Sequence, residues 1–461
     1  MPKRNLFVLL MMIAVAAVAW LARDRAGHGR RFAEVLGAIE RSYLEPVDQQ
    51  RLFTAAMEGV FSRLDEHSAF IAGERRDQLE SLLDQEFGGV GLELTQLDAT
   101  RADAPRGVVV VSPVYGGPAW HAGIAAGDRI VAIDGESALQ MTIDDVLRRL
   151  RGRPGTSVRL SVAAAASDDE AAAEAGPRER DVDLVRELVT TESVLGDRRR
   201  ADGSWEWTIE GEPAAAVVRI TSFGERTAGE LTRALEAVSS RLAAVGDSEH
   251  EQRVLILDLR GNVGGLLSAA VEVCDIFLDE GVIVSTRGRA ARDSGDATAA
   301  LDVRRATRGI ACADLPIAVL IDGLTASAAE VVAACLQDHG RAVVVGSRSF
   351  GKGTVQSLVP LSDGSGLVKL TTSEYLRPSR ENIHRRSDDD GTDAWGVSPD
   401  RGCEITPTGR QIETLQAWRR ARDIVPAKGG RVMEPSPSHA VLPRHVDPVL
   451  AKAIDAVRDP D

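Results

Sequence analysis

The chain is poor in cysteine. Four occur in 461 residues (Cys274, Cys312, Cys335 and Cys403), widely spaced and with no CxxC pair. That excludes a zinc cluster or a disulfide framework and leaves buried free thiols as the expectation. Positive charge is also in deficit. A net charge of -14 offers no basic surface to phosphates, so nucleic acid is not an expected partner. No HExxH is present and the eight histidines are scattered, so no metal is signalled and no cofactor is expected. GxSxG is missing too, so nothing marks the nucleophile elbow of an α/β hydrolase.

What is present describes a globular protein of about three domains: 44% hydrophobic and 27% charged residues. Lys3 and Arg4 precede an apolar run from Leu6 to Ala22. As a helix it would reach about 25 Å, marginal for a bilayer core of about 30 Å. Residues 1–22 are therefore a signal peptide, with Ala17-Val18-Ala19 as a small-x-small cleavage site, or an uncleaved membrane anchor. Both alternatives export the body of the chain.

Residues 23–86 are expected to be helical. Phe32, Val35, Leu36, Ile39 and Tyr43 share one face, and Asp48 is placed to cap a second helix. Two such helices cannot bury themselves alone, which makes them candidate dimer elements together with the tail beyond 403. From Phe87 the texture turns to short strands, through 163. FGGVGLEL, GPAWHAGIAAGDRIVAIDG and a Thr142–Asp145 capping box give a small domain whose words resemble a PDZ domain. Residues 164–182, Ala-rich and acidic, read as a solvated insertion. Residues 183–403 alternate strands and helices, implying a mostly parallel sheet, and 404–461 form a helical tail.

In such sheets chemistry collects where loops leave the carboxyl ends of strands. RGNVGG after Val254–Leu259, DGLTAS after Pro316–Ile321 and SRSFGKG after Ala342–Val345 all hold that position. Ser327 with Glu330 is a capping box, and caps far outnumber nucleophiles. The small residues around it, the helix N-terminus and the Ala328 N–H are what a nucleophilic serine would need. His339 would lie about 15 Å away across the helix, too far to be its base. Lys352, set between glycines at a strand end, could serve if its amine is uncharged, with Gln356 on the same side of an extended segment to orient it. RGNVGG is a packing turn, or it offers the N–H of Gly264 or Gly265 as a second oxyanion donor. A rival remains: Gly346 to Lys352 fits the phosphate-loop spacing, but Gly353 replaces the hydroxyl that would bind magnesium, and a strand follows instead of a helix.

Taken in order, LDEHSAF, FGGVGLEL, the PDZ words, LILDLRGNVGG, TASAAE, FGKGTVQ and GVSPD resemble the carboxy-terminal processing, or tail-specific, proteases from Phe32 to about Asp400. The resemblance implies an α/β core related to crotonase and Clp-type proteases with an inserted PDZ domain, and a serine endopeptidase with a Ser–Lys dyad. It makes Ser327 the nucleophile, Lys352 the base and Gln356 the residue that positions the lysine. It puts the oxyanion hole at Ala328 and the Gly264-Gly265 turn, and leaves the role of Glu330 open. Substrates would be proteins with accessible C-termini, held as an added strand near Gly89, Val90, Gly91 and Leu92. The setting would be the cell envelope, anchored at the inner membrane or free in the periplasm. The alternative is a catalytically silent PDZ scaffold. Three departures stand out: Val263 where the family has proline, RPSREN at 377–382, and a long acidic stretch at 385–393.

Overall fold

The computed structural model describes residues 27–97, 107–164, 179–244, 252–289, 301–307, 314–385, 395–425 and 446–458. The N-terminal apolar run, Cys312 and most of the Ala-rich insertion lie outside these residues. Among the described residues no helix is long and apolar enough to cross a membrane. The chain divides into two compact units, one of residues 1–76 with 356–371, the other of 77–355 with 372–461.

In the first unit, helices Gly27–Ser42 and Gln49–Phe61 form as their periodicity predicts, the second capped by the Asp48 carboxylate at the N–H of Gln50 (2.9 Å). Neither helix buries a residue fully. Phe53 packs edge-on against both Phe32 and Phe70. The expectation of helix throughout 23–86 needs correcting here. Ala69–Ala72 is a strand paired antiparallel with Gly366–Lys369. Its partner lies almost 300 residues away, out of reach of any local pattern.

The second unit opens with the small strand-rich domain whose sequence resembles a PDZ domain. Five antiparallel strands follow in the order Leu92–Gln96, Val108–Pro113, Arg129–Ile133, Ser157–Ala163 and Glu179–Val185. Helix Ile143–Leu150, capped by Thr142, turns Val146 and Leu150 into the core. The domain is longer than expected, because Glu179–Val185 is a strand of this sheet rather than insertion or protease core. Val182 and Leu184 face inward, while Asp183 pairs with Arg159 and Asp181 accepts from Ser161. The acidic residues that mimic a solvated linker are the outer face of an edge strand.

The α/β core is built on four parallel strands: β1 (Glu212–Ile220), β2 (Val254–Asp258), β3 (Ile317–Ile321) and β4 (Ala342–Gly346). Helices α1 (Thr227–Ala244), α2 (Leu267–Phe277) and α3 (Ala328–Asp338) connect them in turn. Alternation along each strand divides the core in two. Ala216, Val218, Leu255, Leu257, Val319 and Ile321 pack against the three connecting helices. Ala215, Val217, Ile256, Ala318 and Leu320 pack against α5 (Pro448–Arg458), which follows α4 (Gly409–Asp423) in the tail. The apolar face of α5 is thus spent on its own sheet and is not free for a dimer contact. Cys274 and Cys335 are buried thiols on α2 and α3, and Cys403 is buried too, as expected.

Candidate active site

Parallel order sends the loops after β1, β2 and β3 to one edge of the sheet. There they are stitched together by backbone polar groups that have no partner within their own strands. Ala326 N–H donates to Asn262 O at 2.9 Å, and Thr325 Oγ1 donates to Leu259 O at 2.9 Å. Phe223 N–H donates to Gly264 O at 3.1 Å. The loop after β4 joins them through Phe350 N–H to Thr325 O at 2.9 Å. The three glycine-bearing loops lie side by side, joined by these bonds.

Ser327 enters α3 with φ +57° and ψ −119°. A non-glycine residue holds this region only where its surroundings force it, at a cost of about 1–3 kcal/mol. Ser327 thus sits on a sharp strand-to-helix turn, made here without GxSxG. The turn is held by Glu330, which is fully buried. Its carboxylate accepts the N–H of Ser327 at 2.8 Å and the N–H of Lys352 at 2.8 Å. It also accepts the N–H of Gly351 at 2.7 Å and the Ser349 hydroxyl at 2.5 Å. Burial pushes the Glu330 carboxyl above its ordinary range, against the pull of these four donors. The expected cap has become a clamp between the serine and lysine loops.

Ala328 is buried, and its N–H meets no acceptor among the described residues. Above it sits Gly264, φ +101°. A Cβ at this position would lie 2.8 Å from the Ser327 Cβ and 3.0 Å from the Ala328 nitrogen. Glycine keeps open the space that a developing oxyanion would need. The Gly264 N–H itself does not face that space, since it donates to Asn262 Oδ1 at 2.8 Å. Gly264 is thereby corrected as a donor; Gly265 N–H has no acceptor among the described residues. Asn262 is fully buried and its Nδ2 donates to Ile220 O at 2.8 Å, so it pins the loop at both ends. Tyr375 is buried as well, its N–H on Gly353 O at 2.8 Å and its phenol beside the Ser327 side chain. Burial raises that phenol above its ordinary range, which keeps it protonated.

Behind the loops lies an ion cluster that sequence reasoning missed. Arg260 donates to Asp258 at 2.8 Å and to Asp447 at 2.6 Å, and Arg419 also reaches Asp258. Both carboxylates are fully buried. Burial pushes them up, but the guanidiniums outweigh it and hold both below the ordinary range. The cluster ties α4 and the start of α5 to the RGNVGG loop. Its only trace in the sequence is charge inside an apolar run.

Gln356 belongs to the first unit, where its amide donates to Thr371 Oγ1 at 3.3 Å. Thr371 Oγ1 donates to Asp65 at 3.0 Å, and its N–H donates to Ser68 Oγ at 3.0 Å. Asp65 also accepts the N–H groups of His67 and Ser68. LDEHS is thus a polar loop folded around one carboxylate, which holds Gln356 through Thr371.

In the PDZ domain, Leu92–Gln96 is an edge strand, free on the side toward helix Ile143–Leu150. Gly89, Val90, Gly91 and Leu92 line a cavity of about 990 Å³ that also reaches Arg226 and Glu230 of the α/β core. The N–H groups of Val90 and Gly91 find no acceptor among the described residues.

Residues 214–401 match peptidase family S41, and residues 109–163 match the PDZ domain. A carboxy-terminal-processing protease of Bartonella bacilliformis is 33% identical over 80% of this chain and 74% of its own length. The carboxy-terminal processing protease CtpB of Bacillus subtilis is 27% identical over 81% of this chain and 69% of its own. Among solved structures, an S41 protease of Bacteroides fragilis superposes with a TM-score of 0.50 at 15% identity, over 90% of this chain and 97% of that one.

Proposed function

This chain belongs to the carboxy-terminal processing serine proteases of peptidase family S41, and from that premise we propose that it cuts through a Ser327–Lys352 dyad after its PDZ domain has captured a protein C-terminus. One observation carries the proposal: a single buried carboxylate, Glu330, accepts the backbone N–H of both dyad residues. The Lys352 amine takes the Ser327 proton as Oγ attacks the scissile carbonyl. The oxyanion then receives the N–H of Ala328 and, from the RGNVGG loop, the N–H of Gly265. The lysine ammonium returns the proton to the leaving amine, and water repeats the cycle on the acyl-enzyme. Gln356 keeps the role that the family resemblance implies, orienting the lysine.

The substrate tail adds to the free edge of Leu92–Gln96, with its carboxylate at the N–H groups of Val90 and Gly91. The apolar run from Leu6 to Ala22 supports a cell-envelope setting, which fractionation of full-length and truncated chains will test. Val35, Tyr43, Leu44, Val60 and Leu64 stay exposed in the first unit and are the candidate contacts of a homodimer. The dyad is tested on fluorescein-labelled casein with Ser327→Ala and Lys352→Ala. Both variants are expected to stop proteolysis while still binding peptides with free carboxyl termini. Cleavage that survives either change refutes the dyad.

A further inference from the structure

The family's machinery leaves one feature beside the catalytic loop unused. Arg348 and Arg385 both stack on the ring of Trp395, with guanidinium carbons 4.9 and 4.7 Å from its centroid. The loop is packed directly onto this group. Arg385 N–H donates to Gly351 O at 2.8 Å, and a Cβ at Gly351 would lie 2.8 Å from the indole. On the other side, Val397 N–H donates to the Ser349 hydroxyl at 2.7 Å, the same hydroxyl that donates to Glu330. Arg348 therefore shares the Lys352 loop, and Arg385 is bonded to the residue next to Lys352. Both are exposed, and neither guanidinium has a carboxylate partner among the described residues. Phe350, half-exposed and between Arg348 and Lys352 in the chain, adds an apolar side chain to the loop.

We propose that Arg348 and Arg385, held on Trp395, form a carboxylate-binding subsite of the protease that selects acidic peptide segments beside the scissile bond. This rests on the assignment of Lys352 to the active site. Stacking on one indole holds two flexible cations together and spares part of the entropy that an ion pair costs. Each guanidinium then offers its own two-pronged N–H edge to a carboxylate. That carboxylate is a substrate Asp or Glu side chain, or the terminal carboxylate of a short leaving fragment. The subsite is distinct from the PDZ edge, which holds the tail away from the cut.

The test is cleavage profiling of a synthetic peptide library by the full chain, with free-acid and amidated C-termini in parallel. Wild type is expected to favour peptides with a carboxylate near the cut by about 3- to 10-fold in kcat/KM, the range for exposed ion pairs acting together. The Arg348→Ala/Arg385→Ala double variant should lose that preference. Trp395→Ala should lose it as well. High salt should erase it in wild type. If amidation removes the preference, the source is the terminal carboxylate; if amidation leaves it, the source is a side chain. Equal profiles for wild type and the double variant, at equal melting temperature, overturn the subsite. If the double variant loses its fold, Arg348→Gln and Arg385→Gln singly must show the same loss of preference, or the subsite is refuted. Cleavage by Ser327→Ala in the same library would instead refute the dyad.

Discussion

The Glu330 carboxylate and the backbone N–H of Lys352 lie 2.8 Å apart, and the same oxygen accepts the N–H of Ser327 at 2.8 Å. This relationship makes two loops, each at the end of its own strand, into one rigid object. Glu330→Gln tests it. An amide has one acceptor oxygen, so at least one buried N–H must lose its partner, at about 1–3 kcal/mol. The variant should melt at lower temperature and lose most of its kcat. An unchanged melting temperature would show that the clamp contributes nothing.

Gly264→Ala should abolish proteolysis, because the added methyl would stand 2.8 Å from the Ser327 Cβ and 3.0 Å from the Ala328 nitrogen. Gly261→Ala is the control. Gly261 also has positive φ (+72°), but its Cβ would meet nothing within 4 Å. It should lose about 1 kcal/mol of stability and keep its activity. Comparable kcat/KM in the two variants would contradict the oxyanion space assigned above Ala328.

The pattern of what the chain discloses follows from range. Continuous apolar runs such as Val254–Asp258 mark strands covered on both faces, so the parallel sheet and its three strand-end loops were legible. The capping box at Ser327 was legible too, but not its backbone, which depends on Gly264 arriving from another loop. Nor was the engagement of the Gly264 N–H by Asn262, a contact that forms only once the loop is folded. Glu179–Val185 was hidden because an edge strand with one wet face is as charged as a linker. Ala69–Ala72 and the Arg260–Asp447 pair join residues far apart in the chain, and no local periodicity reports them.

Acid should loosen the tail. Asp258 and Asp447 are held below the ordinary aspartate value of 3.8 in the folded chain. Their contribution is therefore complete above that value and is lost as pH falls through the lower folded values. Asp447→Asn removes one partner of buried Arg260 and should cost about 3–5 kcal/mol at neutral pH. Below about pH 4 the variant should lose less stability than wild type in denaturant titrations. Parallel acid limbs would place the titration elsewhere.

Thr371→Val keeps the shape of the side chain but breaks the link from Asp65 to Gln356. If Gln356 orients the base, kcat should fall about 10-fold with KM unchanged, in line with one lost hydrogen bond of about 1.4 kcal/mol. An unaltered kcat would leave LDEHS a purely structural loop.

The dyad itself is tested most directly by locating the covalent adduct. The full chain is treated with a fluorophosphonate, digested, and mapped by mass spectrometry. The account predicts one adduct, on Ser327, that disappears in Lys352→Ala while the protein remains folded. An adduct on another residue, or undiminished labelling of Ser327 without Lys352, would contradict it.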